Sequence, residues 1–224
     1  MQPEEFGHYL DKDPLKIYFH EQLRWFAAAN LILIAYESYH YSYLYENLER
    51  YKAFDKMTME ERTKPEVIFP VVIPYLNCCY TICTVFENYM KAMLLYRNVI
   101  VHTFLPHPDL KKHFNKQKTN PYRLEEGSTL EGIKTNFNPK FTIGFKTLMS
   151  RNYQSGIKLP EPLLKYLEYI VKLRNSLHFQ TSIKYSSQFT SGLDMVHKFI
   201  TEDIRKLIDS TTNRQISIFE GPKQ

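Results

Sequence analysis

The sequence predicts an all-α protein that folds as one helical bundle. Long segments without glycine or proline carry apolar residues at helical spacing, and several begin with a capping residue followed by proline. The chain shows no internal repeat, no low-complexity tract and no second core. We therefore expect a single domain spanning residues 1–224.

The first predicted element is a helical addition over residues 14–63. Asp13 followed by Pro14 is a typical helix start, and no glycine or proline follows before Pro65, so one long helix or two are expected as far as Phe54. The tyrosine-rich segment 39–45 alternates like a strand, but the helix-favouring residues around it favour helix. Thr58 and Glu61 have the spacing of a capping box.

A second long helix is predicted from about Pro74 to Ile100. Its apolar stripe contains Cys79, Phe86, Met90, Met93 and Arg97, and it carries Glu87 and Lys91 four residues apart on a flank.

Residues 67–86 contain no charge and reach the length of a membrane span. Pro70, Pro74 and Asn77, and the absence of flanking basic clusters, instead favour a buried core helix. No membrane association is expected.

The middle of the chain is basic. Residues 97–158 hold eleven Lys/Arg and four Asp/Glu, whereas the net charge of the whole chain is +5. HPDLKKHF, residues 107–114, predicts a short helix, and residues 119–158 predict a long irregular insertion with a small helix at 145–150. The charge either attracts a polyanion, RNA first among candidates, or is an ordinary solvated loop surface.

Two amphipathic helices and a short strand at ISIF, residues 216–219, are predicted for the C-terminal part. The first helix follows Pro160 and Pro162, and the second spans LDMVHKFITEDIRKLI. The apolar face of the second consists of Leu193, Val196, Ile200, Ile204, Leu207 and Ile208.

The first of these helices carries Arg174 and His178 within its apolar stripe. With Leu163 at zero and about 100° per residue, Arg174 falls near 20° and His178 near 60°. An unpaired buried guanidinium is costly, so Arg174 either pairs with a carboxylate such as Glu87 or faces a groove that binds phosphate. Histidine exchanges protons near neutral pH, and arginine binds two phosphate oxygens.

The pattern LRNSLHF, late in a helical bundle, resembles the Arg-Asn…His signature of HEPN domains. FENYMKAMLLYRN is similar to the first core helix of that family, and HPDLKKHF to the segment that often follows. The resemblance covers residues 75–210 and leaves the N-terminal addition and the insertion outside it.

The resemblance implies a metal-independent endoribonuclease of a toxin or phage-defence type, acting as a homodimer and in some cases held by an antitoxin protein. His178 would be the acid or base, Arg174 would stabilise the charge on phosphorus, and Asn175 would orient the phosphate or the histidine. Glu87 would be a supporting residue of the site. The RNA backbone would lie along a run of basic residues, which comprises Lys111, Lys112, Lys116 and Lys118. A catalytically inactive module that binds RNA, nucleotide or protein is the alternative.

The spacing departs from the family pattern, which has four to six residues between Arg and His. Arg174 and His178 have three residues between them, whereas Arg97 and His102 have four but lie on the earlier helix. On a continuous helix His102 would point about 140° away from Arg97, so the two side chains would not face one site. Residues 97–102 are therefore only the alternative motif.

The sequence indicates no metal, cofactor or disulfide. Cys78, Cys79 and Cys83 are clustered and odd in number, which fits buried thiols in a reducing, cytoplasmic setting. The N-terminus lacks the apolar core of a signal peptide. His197 is expected to be a core or interface histidine, and Tyr36, Tyr39 and Tyr43 to pack.

Overall fold

Helices make up most of the chain in the computed structural model, which describes residues 13–67, 70, 73–177 and 188–210. An all-α class is therefore confirmed, with short strands added. The predicted strand at 216–219 lies outside the described residues.

The N-terminal addition contains two long helical segments rather than one. A 3-10 turn, Pro14–Tyr18, comes first, and is followed by α1 (Glu21–His40), α2 (Leu48–Lys56), α3 (Met59–Arg62) and α4 (Pro65–Val67). The expectation of helix through 39–45 was wrong beyond His40. There the Ser42 hydroxyl donates to the Tyr39 carbonyl and Tyr43 adopts a left-handed φ of 48°, so the backbone turns instead.

The Thr58–Glu61 capping box is confirmed at the start of α3. The Thr58 N–H donates to Glu61 Oε2 at 2.7 Å, and the Glu61 N–H donates to Thr58 Oγ1 at 3.2 Å. Both contacts satisfy donors that a helix start leaves without intrahelical partners.

The second long helix, α5 (Ile73–Tyr96), ends four residues earlier than predicted. Asn98 takes a left-handed φ of 56°, and the chain continues as β1 (Val99–Ile100) and β2 (His102–Phe104). Strand-favouring Val99, Ile100 and Val101 were missed because a short apolar run does not distinguish strand from helix. Within the described residues, no helix is long and apolar enough to cross a membrane.

The insertion is less irregular than predicted. Its helices and strands, with the preceding helix, are α6 (Lys111–Gln117), β3 (Tyr122–Arg123), α7 (Leu130–Asn136), β4 (Phe137–Thr142), α8 (Phe145–Leu148) and α9 (Arg151–Ile157). The small helix predicted at 145–150 is present as α8. Strand β1 pairs antiparallel with β3, and β2 with β4 through an irregular register between His102 and Phe104.

The C-terminal part contains both predicted helices, α10 (Glu161–Leu177) and α11 (Gln188–Lys198). A π-helical stretch, Phe199–Ile204, continues α11 and leads into helical residues 205–210. The predicted apolar face is buried at Leu193, Val196, Ile200 and Ile204.

The chain divides into two compact units. Unit 1 comprises Met1–Leu31 and Glu87–Lys158, and unit 2 comprises Ile32–Phe86 and Leu159–Gln224. Each unit has its own apolar core: unit 1 buries Met90, Ile100, Phe137 and Tyr153, among others, and unit 2 buries Phe54, Phe86, Leu167, Ile170 and Phe189, among others. Two of the three boundaries between the units fall within α1 and α5, and the third falls between α9 and α10.

Candidate functional site

Arg174 lies in the last turn of α10, next to the buried face of that helix. Leu163, Leu167 and Ile170 are fully buried, as the helical arc predicts, whereas Arg174 is half-buried. The long aliphatic part of an arginine can cover apolar surface while its charged end stays in water. The position therefore suits a cation that is partly exposed.

The guanidinium of Arg174 contacts the side chain of Asn175. Nε and Nη2 of Arg174 lie 3.4 and 3.3 Å from Asn175 Oδ1, which are long distances for hydrogen bonds. Among the described residues, no carboxylate forms an ion pair with Arg174. Glu87, which could have paired with it, instead binds Lys91 at 2.6 Å. Arg174 thus keeps donors for an external anion.

His178, the third residue of the predicted site, lies outside the described residues. The structure therefore brings together Arg174 and Asn175, and the position of His178 relative to them remains a prediction from its spacing.

The predicted RNA-binding lysines lie on and just after α6 in unit 1. Lys111, Lys112, Lys116 and Lys118 are all exposed, and Lys118 Nζ lies 4.6 Å from the centre of the Phe114 ring. The other basic residues of 97–158 are exposed as well: Arg97, Arg123, Lys134, Lys140, Lys146, Arg151 and Lys158. All eleven belong to unit 1, so its surface carries most of the cationic charge identified in the sequence.

The alternative motif at 97–102 does not lie on one helix. Arg97 is exposed in the turn after α5, beside Gly156 of α9. His102 lies on β2 and is only 7% exposed. The assumption of a continuous helix was therefore wrong at this point.

His102 is held in the core of unit 1 by Tyr18. The Tyr18 hydroxyl lies 2.6 Å from His102 Nδ1 and accepts hydrogen bonds from the backbone N–H groups of Val101 and His102 at 2.9 and 3.3 Å. Because the tyrosine hydroxyl accepts from two N–H groups, its single proton is donated to Nδ1, which leaves the one N–H proton of the neutral ring on Nε2. Burial and the charge of Lys91 lower the pKa of His102 to about 4. A buried, neutral imidazole cannot reach an RNA phosphate.

In unit 2, His197 contacts two tyrosines. The Tyr39 hydroxyl is 2.6 Å from His197 Nδ1, and the Tyr45 ring stacks on the His197 ring with 3.7 Å between centres. Burial and the nearby His40 lower the pKa of His197, with Asp194 and Glu46 opposing the shift. His197 therefore packs among aromatic rings, as the sequence indicated; Tyr39 comes from α1, whereas Tyr45 comes from the turn after it, which helical spacing could not predict.

The three cysteines are buried free thiols. Burial raises the pKa of Cys78 to about 11, and its thiol donates to the Tyr51 hydroxyl at 3.1 Å. Such thiols are poor nucleophiles because little thiolate forms near neutral pH. No group of three or more His, Cys, Asp or Glu residues in the described part of the chain is arranged to hold a metal ion.

Comparison of the chain with protein-family models, curated proteins and solved structures finds no significant match.

Proposed function

We propose that this protein is a HEPN-like RNA-binding protein that cleaves RNA with Arg174, Asn175 and His178. The observation that carries the proposal is the exposure of all eleven basic residues between 97 and 158 in one compact unit. A surface with an excess of exposed cations attracts a polyanion, whose counterions are released on binding. RNA is the polyanion that fits the Arg-Asn…His pattern.

The chemistry assigned to the site is attack of a ribose 2′-oxygen on the adjacent phosphorus. The bond from the 2′-oxygen to phosphorus forms and the bond from phosphorus to the 5′-oxygen breaks, which gives a 2′,3′-cyclic phosphate and a 5′-hydroxyl. His178 takes the proton from the 2′-hydroxyl or gives one to the leaving 5′-oxygen. Arg174 stabilises the additional negative charge in the transition state.

Arg174 is suited to this role by its surroundings in α10. Its side chain is half-buried, which limits its rotamers, and no described carboxylate competes for its donors. Asn175, which is exposed, contacts the guanidinium and can hold it or the phosphate in place.

The deciding experiment measures cleavage of end-labelled single-stranded RNA in EDTA. We expect the wild-type protein to cleave, and Arg174→Ala and His178→Ala each to lose about 100-fold or more of the rate. Lys172→Ala is the matched control, because Lys172 is an exposed cation of the same helix, two residues before Arg174. An unchanged rate in this control shows that loss of any nearby positive charge is not the cause.

RNA binding is measured in parallel by fluorescence anisotropy. If the wild type and all the variants bind RNA and none cleaves it, the result supports the catalytically inactive module. The observation that favours this alternative is the spacing of three residues between Arg174 and His178, which is shorter than the family pattern. Absence of both binding and cleavage would overturn the proposal. Sedimentation equilibrium of the same samples tests the proposed homodimer.

A further inference from the structure

Unit 1 contains a small cavity beside the basic helix α6. Its volume is about 130 Å³ and it is partly open to solvent. The walls come from three places in the chain: Thr103 on β2, Phe114 and Lys118 at α6, and a third segment with Ile143 and Gly144 just before α8 and Thr147 within it.

The polar groups behind the cavity are fixed by internal hydrogen bonds. Gln117 also lines it and is only 3% exposed; its Nε2 donates to the His102 carbonyl at 2.8 Å, and its Oε1 accepts from the Phe104 N–H at 3.3 Å. The Ile143 N–H donates to the Val101 carbonyl at 2.8 Å. These bonds tie the walls to the β2–β4 pair, so the cavity is preformed.

The size of the cavity selects what can enter. An enclosed apolar cavity of about 150 Å³ accepts one benzene ring, so about 130 Å³ in a cavity partly open to solvent is close to the space of one six-membered ring and small for a fused pair. Phe114 and Ile143 supply apolar walls for the faces of such a ring. The Thr103 hydroxyl donates to the Phe141 carbonyl at 3.3 Å and keeps its lone pairs as acceptors, whereas the Thr147 hydroxyl can donate and accept, so the two can meet a donor and an acceptor on a pyrimidine edge.

The rim of the cavity carries a positive charge. Lys118 is exposed and its ammonium lies over the Phe114 ring, which lines the same cavity. A ligand with its ring inside and an anionic group at the mouth would satisfy both features. A nucleotide has this composition, since its planar base is linked through ribose to phosphate.

We propose that this cavity binds the pyrimidine base of a nucleotide, with the nucleotide phosphate at Lys118. The inference rests on the proposed function in that single-stranded RNA is the natural source of such a unit, with Lys111, Lys112 and Lys116 along the neighbouring phosphates. The cavity is lined by residues of unit 1 and not by the Arg174 site, so it selects where RNA binds rather than performing cleavage.

The test is binding of mononucleotides to the full chain, measured by saturation-transfer NMR and by titration. Uridine and cytidine monophosphate are expected to bind at least fivefold more tightly than adenosine or guanosine monophosphate. Inorganic phosphate alone is expected to bind more weakly than either pyrimidine nucleotide. Equal binding of all four nucleotides, or of phosphate and the pyrimidine nucleotides, would overturn the proposal.

Variants locate the binding. Gly144→Leu adds a side chain at the cavity, where a Cβ on Gly144 meets no atom within 4 Å, and is expected to reduce pyrimidine nucleotide binding at least tenfold. Lys118→Gln is expected to reduce it three- to tenfold and keeps the test valid if Gly144→Leu fails to fold. Lys56→Gln, at an exposed cation of α2 that does not line the cavity, is the matched control. Unchanged nucleotide binding in both cavity variants would also reject the site.

Failure of this inference is distinguishable from failure of the proposed function. RNA cleavage that depends on Arg174 and His178 but shows no pyrimidine preference would reject the cavity and leave the ribonuclease. Pyrimidine nucleotide binding that is lost in Gly144→Leu, in a protein that cleaves no RNA, would support the cavity and reject the ribonuclease.

Discussion

At the residue scale, the structure places in the core a histidine, His102, whose sequence context resembles that of His178. His102 and His178 each follow an Arg-Asn pair, but His102 is buried and bound to Tyr18. The sequence could not reveal this, because Tyr18 lies 84 residues earlier in the chain. A buried neutral imidazole contributes to stability rather than to proton exchange with a substrate.

The buried His102 predicts a pH dependence of stability. Its pKa is about 4 in the folded protein and 6.5 in the unfolded chain, so the unfolded state binds more protons between these values. Stability is fully present above about pH 6.5 and is lost as pH falls toward 4, by up to about 3 kcal/mol from this residue. Urea unfolding at several pH values measures the slope.

In His102→Gln the loss of stability between pH 6.5 and 4 is expected to be smaller than in the wild type, although the variant is less stable at neutral pH. His107→Gln, at an exposed position, controls for the removal of one imidazole. The same pH slope in wild type and His102→Gln would contradict the assignment of this titration to His102.

At the element scale, the packing of α10 against α11 depends on a glycine. A Cβ on Gly192 of α11 would overlap the ring of Tyr166 of α10, whose hydroxyl donates to the Phe189 carbonyl at 2.8 Å. The close approach therefore holds the tyrosine ring against the backbone of α11. From the sequence alone, Gly192 is only a residue of low helix propensity within a predicted helix.

Gly192→Ala is expected to destabilise the protein by about 1–3 kcal/mol, because overlap with the Tyr166 ring outweighs the gain in helix propensity. Gly156→Ala in α9 is the matched substitution. Its Cβ would meet Arg97 at an ordinary 3.9 Å, so a gain of about 0.5–1 kcal/mol is expected. Thermal and urea unfolding compare the two; equal effects would show that the Tyr166 contact does not decide the outcome.

The bounds of the elements show where sequence patterns are reliable. Helix starts with specific chemistry, such as the Thr58–Glu61 capping box, were predicted correctly because the interaction is local. The end of α5 was missed because the residues after it form a strand that pairs with β3 of the distant insertion. In this pairing Val99 lies opposite Arg123 and Ile100 lies opposite Tyr122. Pairing between distant segments has no signature at either segment alone.

At the scale of the whole molecule, the distribution of charge is the feature on which the proposed RNA binding rests. The basic excess found in the sequence is exposed in unit 1, and four of its lysines lie on or directly after α6. Contacts to phosphates release counterions, so RNA affinity should depend steeply on salt.

We assume that Lys111, Lys112, Lys116 and Lys118 each contact one phosphate. A plot of the logarithm of the affinity for single-stranded RNA against the logarithm of the salt concentration is then expected to have a slope of about −3. The affinity would fall roughly 50-fold between 50 and 200 mM salt. The double variant Lys111→Gln/Lys112→Gln should lower the magnitude of the slope by about 1.4. Anisotropy titrations over this range measure it.

Lys52→Gln/Lys56→Gln removes two cations from α2 in unit 2 and serves as the matched control for net charge. Equal slopes in the wild type and the α6 variant would indicate that these lysines do not contact RNA.

The sequence by itself determined the helical class, the main helices, the capping box, the basic middle region and the half-buried position of Arg174, because each follows from the period of one helix or from local composition. Only the tertiary structure decided that His102 bonds Tyr18, that no described carboxylate pairs with Arg174, and that residues of β2, α6 and the segment around α8 form a cavity. The physical reason is that burial and hydrogen-bond partnership depend on which distant segments meet.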